Sequence, residues 1–223
     1  MIIVKKSLLN QIMTGLVKAV ITSLVAILTV GGTLTANANI VERNALQDCG
    51  TASSYNNLIS YELIDPTVTT PDMVKENCKT IKARTESLLK EFGATKYIPV
   101  FITGELYSFC GEMTTGCVQN LYGINEEIPA IMSISYTADY YGGLRDTVAH
   151  EYVHTLTSSA ELTKLNATPS IWVVDGEQVK PGEAAADCGR YVFTGGAQEA
   201  GAYMTTCTAE QTEISIAIIN NTY

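Results

Sequence analysis

The chain has 223 residues, of which 46% are hydrophobic and 17% are charged, a composition typical of a single folded domain and not of a disordered or repetitive protein. Acidic residues outnumber basic residues by 23 to 14, which gives a formal net charge of -9. This charge excludes nucleic acid and anionic membrane surfaces as electrostatic partners.

The first 38 residues have the pattern of a secretory signal peptide. Three lysines precede the uncharged run AVITSLVAILTV, and Ala36 and Ala38 form a small-residue cleavage site. The alternative is an uncleaved anchor over residues 12–34, although its apolar run of about 16 residues is shorter than a spanning helix prefers. In both cases we expect the remaining chain to be secreted or extracytoplasmic, with a membrane as partner only through an uncleaved segment.

All six cysteines lie after residue 38, in a part of the chain with 11 basic and 23 acidic residues and a net charge of -12. An even number of cysteines in an oxidising compartment predicts three disulfides, although six cysteines allow fifteen pairings. Nearest-neighbour pairing would join Cys49 to Cys78, Cys110 to Cys117 and Cys188 to Cys207. Only the middle pair, which closes the short loop CGEMTTGC, is favoured by its separation alone.

Residues 39–69 are polar and rich in turn formers, and we interpret them as a lead-in segment to a single domain over residues 70–223. The stretch TTPDMVKENCKTIKARTESLLKEFG then predicts a helix, since Thr70 is a suitable N-cap, Pro71 suits the first turn and Gly93 follows the last periodic position. Apolar residues recur along it at helical spacing, namely Met73, Cys78, Ile81, Leu88, Leu89 and Phe92.

Two later segments, YIPVFITG (97–104) and PAIMSISY (129–136), are rich in β-branched and aromatic residues and predict strands. The segment LYGINEEI between them is either a turn or an edge strand. PAIMSISY is either a core strand or an edge strand along which a peptide could lie.

Two further helices are predicted, separated by a strand or hairpin in SIWVVDGEQV. The first is YYGGLRDTVAHEYVHTLTSS, which begins at two glycines, and the second is KPGEAAADCGRYVF, which is entered at Pro181. These elements together predict an α+β domain with a small sheet.

Both histidines of the chain lie in the first of these two helices, in the pattern His-Glu-x-x-His. Residues four apart share a helix face, so His150 and His154 can bind one ion while Glu151 points to its open side. Two neutral nitrogen donors and a carboxylate that accepts a proton from bound water are what a hydrolytic zinc site needs. We therefore predict Zn²⁺ as the cofactor, the two histidines as ligands and Glu151 as the general base.

A catalytic zinc usually has three protein ligands, and because no third histidine exists we expect the third to be a carboxylate. The downstream candidates are Glu161, Asp175, Glu177, Glu183 and Asp187. Glu161 lies too close to the end of the motif helix to fold back easily. Glu183 and Asp187 are four apart on the following helix, so one could reach the metal while the other accepts the remaining N–H of a ligand histidine.

The segment VAHEYVH, followed after a loop by EAAADCGRYV, resembles the gluzincin metallopeptidases, and in particular the neutral zinc metallopeptidase family, which pairs an AHEYGHH-type helix with a later E-x-x-A-D-C helix. The resemblance covers roughly residues 147–193. It implies a disulfide-stabilised zincin-like metallopeptidase domain, in which a small mixed sheet packs on the HExxH helix and the following ExxxD helix. The implied roles are His150, His154 and Glu183 as ligands, Glu151 as general base and Asp187 as the partner that orients a ligand histidine.

The chain departs from the family pattern at Val153, which replaces a glycine, and at Thr155, which replaces a further histidine. A second register is also open, in which PSIWVVDGEQV resembles the P-x-W-L-x-E-G segment of other gluzincins and Asp175 is the third ligand. We favour Glu183, because aspartate is a shorter ligand and because the pair of Glu183 and Asp187 would otherwise have no role.

The expected function is that of a secreted zinc metallopeptidase, which hydrolyses peptide bonds of a peptide or protein substrate by a zinc-activated water with Glu151 as general base. A tyrosine is expected as oxyanion donor, and Tyr191 and Tyr203 lie nearest in sequence to the second helix. The alternative is a catalytically weak or inactive exported zincin-like protein with a binding or envelope-associated role. The intact Glu151 favours the enzyme.

Overall fold

The computed structural model describes residues 49, 51–60, 62–103, 115–120, 130–138, 143–174, 176–196 and 203–223. Every described residue belongs to the compact unit Asn44–Tyr223. The predicted signal peptide or anchor therefore lies outside the described residues.

The described part is a mixed α+β structure with a small sheet. Its helices are α1 (Ala52–Ser60), α2 (Pro71–Glu91), α3 (Leu144–Leu156), α4 (Ser159–Ala167), α5 (Pro181–Thr194) and α6 (Ala209–Ile219). Its strands are β1 (Val100–Thr103), β2 (Gly116–Asn120), β3 (Ala130–Ser135), β4 (Val173–Val174) and β5 (Glu177–Gln178), and a single 3₁₀ turn spans Pro169–Ile171. The two helices that carry the histidines and the candidate third ligand are α3 and α5.

Helix α2 confirms the predicted start and end of the first long helix. The Thr70 hydroxyl accepts a hydrogen bond from the Met73 amide, and Pro71 occupies the first helical position. Its buried face contains Val74, Cys78, Ile81, Thr85 and Leu89. The assignment of Met73 to the apolar face was wrong, since Met73 is 55% exposed and its neighbour Val74 is buried.

The sheet is mixed, as the sequence resemblance implies, and has the order β1-β3-β2. Strand β1 runs parallel to β3 with Ile102 opposite Ile134, and β2 runs antiparallel to β3 with Val118 opposite Met132. All six residues of β3 are buried. The suggestion that PAIMSISY is a free peptide-binding edge is therefore wrong, because both edges of β3 are paired.

Strand β2 was not predicted, because it directly follows a stretch that has the composition of a loop. The segment LYGINEEI, for which a turn or an edge strand was predicted, lies outside the described residues.

Two of the predicted disulfides are confirmed. Cys49 is bonded to Cys78 in α2, and Cys188 in α5 is bonded to Cys207, which precedes α6. Cys117 is also disulfide-bonded, whereas its predicted partner Cys110 lies outside the described residues. Disulfides are typical of an oxidising, extracytoplasmic environment. None of the described helices has the length and apolar character needed to span a membrane.

Helix α3 lies between two buried apolar clusters. Val148, Ala149 and Tyr152 belong to a cluster with α2, β1 and β3, whereas Val153 belongs to a second cluster formed mainly by α5 and α6. The second cluster also contains the fully buried Trp172. Because α3 is covered on both sides, its position is set by packing and not by its own weak amphipathic pattern.

Helices α3 and α5 approach closely where Val153 faces Gly189. A Cβ atom added to Gly189 would lie 2.6 Å from Val153 Cγ2, closer than real Cβ contacts allow. Val153 is fully buried, so its side chain has no space into which it can move. The branched residue that departs from the family pattern is thus accommodated by a glycine on the facing helix.

We expect Gly189→Ala to destabilise the protein by about 1–3 kcal/mol, because overpacking at Val153 outweighs the higher helix propensity of alanine. The free energy of unfolding, measured by urea denaturation, tests this. In Gly189→Ala/Val153→Ala the clash is absent, so the double variant should lose less stability than the sum of the two single variants. Additive losses would show that the close approach does not constrain the helices.

Candidate metal centre

The site consists of three donor atoms that α3 and α5 bring together. His150 Nε2 and His154 Nε2 are 3.1 Å apart, and Glu183 Oε2 lies 3.3 Å from the first and 3.2 Å from the second. The histidines lie one helical turn apart on α3, and Glu183 lies in the first turn of α5. These three residues form a cluster that could hold a metal ion.

The near-equilateral triangle has the dimensions of one face of a tetrahedral site. Donors bound at about 2.0–2.1 Å to a tetrahedral ion lie roughly 3.3 Å from one another. Hydrogen bonds alone fit these three atoms less well than a metal ion does, since each Nε2 carries at most one N–H and each N–H points at one acceptor. With two N–H groups, one of the three close pairs of atoms has no hydrogen bond, whereas one cation can bind all three atoms.

Asp187 fixes the orientation of His150. Its Oδ1 lies 2.8 Å from His150 Nδ1, and its Oδ2 accepts a hydrogen bond of 2.9 Å from the Met204 amide. The Arg190 guanidinium, with Nε at 3.9 Å from Oδ1, adds a positive charge on the same side. A proton on Nδ1 leaves the Nε2 lone pair directed at the triangle, which is the tautomer that metal binding needs.

Hydrogen bonds and charge interactions within the cluster offset the free-energy cost of burying its charged groups. Burial disfavours the imidazolium form of His150, but hydrogen bonds to Asp187 and Glu183 and the negative charge of Glu151 outweigh it and raise the pKa of His150 to about 10. Burial alone would raise the pKa of Glu183, but hydrogen bonds from both histidines hold it well below its usual range. Without a metal, the site thus retains a proton on His150 and a negative charge on Glu183.

Comparison of the chain with protein-family models, with curated proteins and with solved structures finds no match.

Glu151 is buried beside the triangle. Its side chain is covered by β2, where a Cβ atom added to Gly116 would lie 2.9 Å from Glu151 Cγ and 3.1 Å from Oε1. Burial raises the pKa of Glu151, although the two histidines act in the opposite direction. A carboxylate whose pKa is shifted towards neutrality can both accept and return a proton, which a general base must do.

The two tyrosines suggested as oxyanion donors occupy different environments. The Tyr191 hydroxyl donates to the Met204 carbonyl at 2.8 Å, so its proton is used within the fold. The Tyr203 ring stacks on the His150 ring at a centroid distance of 6.2 Å, and its side chain is half-exposed. Burial and the nearby carboxylates raise the pKa of Tyr203, which keeps its hydroxyl protonated and able to donate.

The remaining carboxylate candidates do not join the triangle in the described part of the chain. Glu161 forms a capping box with Ser158 at the start of α4, and its side chain accepts from the Ser158 amide. Glu177 lies exposed on the β4–β5 hairpin. Asp175, the alternative third ligand, lies outside the described residues.

Three residues that surround the site were missed from the sequence. Gly116 covers Glu151, Arg190 lies beside Asp187, and the Asn120 amide nitrogen donates to the His154 carbonyl at 3.3 Å. Nε and Nη2 of Arg190 are buried and have no hydrogen-bond partner among the described residues. Gly116 and Asn120 could not be predicted, because the strand that contains them was not predicted. Arg190 could have been predicted, because it follows Asp187 by three positions on one helix and such residues are neighbours on the helix surface.

Substitutions of the three ligands should abolish metal binding, and a substitution of Asp187 should weaken it. We expect His150→Ala, His154→Ala and Glu183→Gln each to abolish stoichiometric binding of Zn²⁺ or Co²⁺ at micromolar concentration. Asp187→Asn should weaken binding by about 10- to 100-fold, because it removes the acceptor that orients His150. Metal content after dialysis, measured by elemental mass spectrometry, tests both expectations.

The exposed Glu177→Gln is the matched control and should retain full metal content. Asp175→Asn tests the alternative register. If Asp175→Asn lost the metal while Glu183→Gln kept it, the ligand assignment to Glu183 would be wrong.

Metal affinity should rise with pH. In the metal-free protein the pKa of His150 is about 10, above the unfolded value near 6.5, so its proton contributes stability that is complete below about pH 6.5 and lost as pH rises towards 10. Because the metal needs a deprotonated Nε2, apparent affinity should increase by up to about tenfold per pH unit within this window. Competition with a chelator of known protonation behaviour at pH 6.5, 7.5 and 8.5 measures the slope. A pH-independent affinity would contradict the assignment of His150 as a proton-carrying ligand.

Proposed function

We propose that the protein is an extracytoplasmic zinc metallopeptidase with a zincin-like fold and the gluzincin ligand set His150, His154 and Glu183. The observation that carries the proposal is the triangle of donor atoms with sides of 3.1, 3.2 and 3.3 Å beside a buried glutamate. The resemblance of the two helices to the neutral zinc metallopeptidases supports the same assignment.

The donor set favours zinc over the common hard cations. Mg²⁺ and Ca²⁺ prefer oxygen ligands, whereas two imidazole nitrogens and one carboxylate oxygen suit Zn²⁺. Two histidines and a carboxylate also suit Fe(II). The buried Glu151 favours zinc, because a hydrolytic site needs a base next to the metal.

When bound, zinc supplies a Lewis acid that polarises a carbonyl and makes water acidic near neutral pH. Glu151 accepts the proton of the attacking water and returns it to the leaving amine. Asp187 holds His150 in one tautomer and orientation throughout. Tyr203, whose ring stacks on that of His150, is proposed to donate a hydrogen bond to the developing oxyanion.

The two departures from the family pattern are compatible with turnover. Val153 packs against Gly189, and the Thr155 hydroxyl donates to the Tyr152 carbonyl at 2.7 Å within its own helix. Neither residue contacts the donor atoms through a described hydrogen bond. The departures therefore leave the ligand set unaltered, and the intact, buried Glu151 favours the enzyme over the alternative of a weak or inactive exported binding protein.

The proposed location outside the cytoplasm rests on two observations. Two disulfides lie on either side of the site in sequence, and such bonds persist in oxidising compartments. The pattern of residues 1–38 predicts export by a signal peptide. Peptide or protein substrates outside the cytoplasm are therefore proposed as the natural ligands.

Replacement of the general base Glu151 tests catalysis separately from zinc binding. We expect the zinc-loaded wild-type chain to cleave casein or a mixture of quenched fluorescent peptides. Glu151→Gln should lower kcat by about 10²- to 10⁴-fold, because the proton acceptor is lost while the ligands remain. Rates are measured by fluorescence after zinc stoichiometry has been determined for each preparation.

Glu177→Gln is the control for a glutamate outside the site and should keep wild-type activity. A chelator should abolish cleavage, and stoichiometric zinc should restore it. Zinc-loaded wild type that cleaves none of these substrates would favour the inactive binding protein. Equal rates for wild type and Glu151→Gln would show that any cleavage observed comes from a contaminant.

A further inference from the structure

Two side chains of α5 bind both backbone polar groups of Met204. Asp187 Oδ2 accepts a hydrogen bond of 2.9 Å from the Met204 amide, and the Tyr191 hydroxyl donates to the Met204 carbonyl at 2.8 Å. Because Asp187 and Tyr191 lie four positions apart, they project from the same face of α5. A single residue of the segment before α6 is therefore held against α5 at two points.

The two bonds lie at different distances from the metal centre. Asp187 uses its other oxygen, Oδ1, for His150 Nδ1 at 2.8 Å. In the described part of the chain, the Tyr191 hydroxyl bonds to the carbonyls of Met204 and, at 3.5 Å, of Thr205. A chain of hydrogen bonds therefore runs from Tyr191 through Met204 and Asp187 to a candidate metal ligand.

The Met204 amide determines the direction of the Asp187 carboxylate. The two carboxylate oxygens turn together, so when the amide holds Oδ2, Oδ1 stays directed at His150 Nδ1. The Arg190 guanidinium is a competing partner, since its Nε lies 3.9 Å from Oδ1. Its Nε and Nη2 are buried without a hydrogen-bond partner among the described residues, and such donors are costly. Loss of the Met204 bond would let Asp187 turn from His150 to Arg190.

Hydrogen bonds to α5 side chains set the direction of the Met204 amide. Within the described residues, the segment 203–207 makes no backbone–backbone hydrogen bond. The disulfide between Cys188 and Cys207 and the buried Met204 side chain keep this segment near α5. Apolar packing is non-directional, however, and the disulfide is attached three residues after Met204, so neither of them aims the amide.

We propose that Tyr191 is a positioning residue of the metal centre. Its bond to the Met204 carbonyl holds the Met204 amide against Asp187, and Asp187 in turn holds His150 in the orientation that binds the ion. The same bond keeps Tyr203, the residue before Met204, stacked on His150 at a centroid distance of 6.2 Å. This role rests on the metal centre of the proposed function and not on peptide cleavage.

The test measures the zinc affinity of the full chain carrying Tyr191→Phe, by competition with a chelator at one pH. Phenylalanine keeps the ring that the Arg190 guanidinium covers at 4.9 Å and removes only the hydroxyl. Affinity should fall about three- to tenfold, the effect expected for one intramolecular hydrogen bond. Tyr55→Phe is the matched control, because the Tyr55 hydroxyl donates to the Thr69 carbonyl at 2.7 Å outside the site. It should keep wild-type affinity.

Two further measurements separate positioning from a general loss of stability. In an Asp187→Ala background the link to His150 is absent, so Tyr191→Phe should change zinc affinity by less than about twofold. In the metal-free protein, exchange of the Met204 amide with solvent deuterium, followed by nuclear magnetic resonance, should be about tenfold faster in Tyr191→Phe than in Tyr55→Phe.

The outcomes separate this proposal from the proposed function. Wild-type zinc affinity in Tyr191→Phe would overturn the positioning role, and so would an equal loss of affinity with and without Asp187. Neither result would affect the assignment of a peptidase. If the wild type bound zinc but cleaved no peptide, the peptidase would be overturned, and a loss of affinity in Tyr191→Phe that disappears without Asp187 would still support the positioning role.

Discussion

The close contact between α3 and α5 is the constraint on which the site depends. Gly189 has no side chain, so Val153 lies directly against the backbone of α5. At this separation Asp187 reaches His150 with one oxygen, and Glu183, one turn earlier, reaches both histidines. A larger separation of the helices would lengthen every one of these distances together, because the side chains project from rigid helical backbones.

The same contact between α3 and α5 brings several ionisable side chains together in a buried region. Neighbouring residues provide hydrogen bonds and opposite charges for them. Asp187 is almost fully buried, and it accepts a hydrogen bond from the Met204 amide and lies beside Arg190. The disulfide between Cys188 and Cys207 ties the segment of Tyr203 and Met204 to α5. Stabilisation of the fold and orientation of His150 therefore use the same residues, as is common around metal ligands.

Three carboxylates, Glu151, Glu183 and Asp187, lie with the two histidines on α3 and α5, so the metal-free protein should respond to pH and to added metal. Glu151 is held in a buried position where ionisation is disfavoured, and His150 keeps a proton that a metal must displace. A cation at the triangle would relieve both effects, because it balances the negative charges and uses the ring lone pairs. Metal binding and folding stability are expected to be linked for this reason.

The local features could be predicted from the sequence, namely the capped helix at Thr70, the strands β1 and β3, and the spacing that puts His150 and His154 on one helix face. These follow from short-range rules, in which turn residues, periodicity and a spacing of four act within one element. Packing between elements brings Glu183 Oε2 close to both histidines. It also makes β3 a central strand and puts Gly116 and Asn120, of an unpredicted strand, at the border of the site. These relations join residues of separate elements, and Glu183 and His154, for example, are 29 positions apart. No local pattern encodes which face of one helix packs on another, because steric fit decides this, as where Val153 meets Gly189.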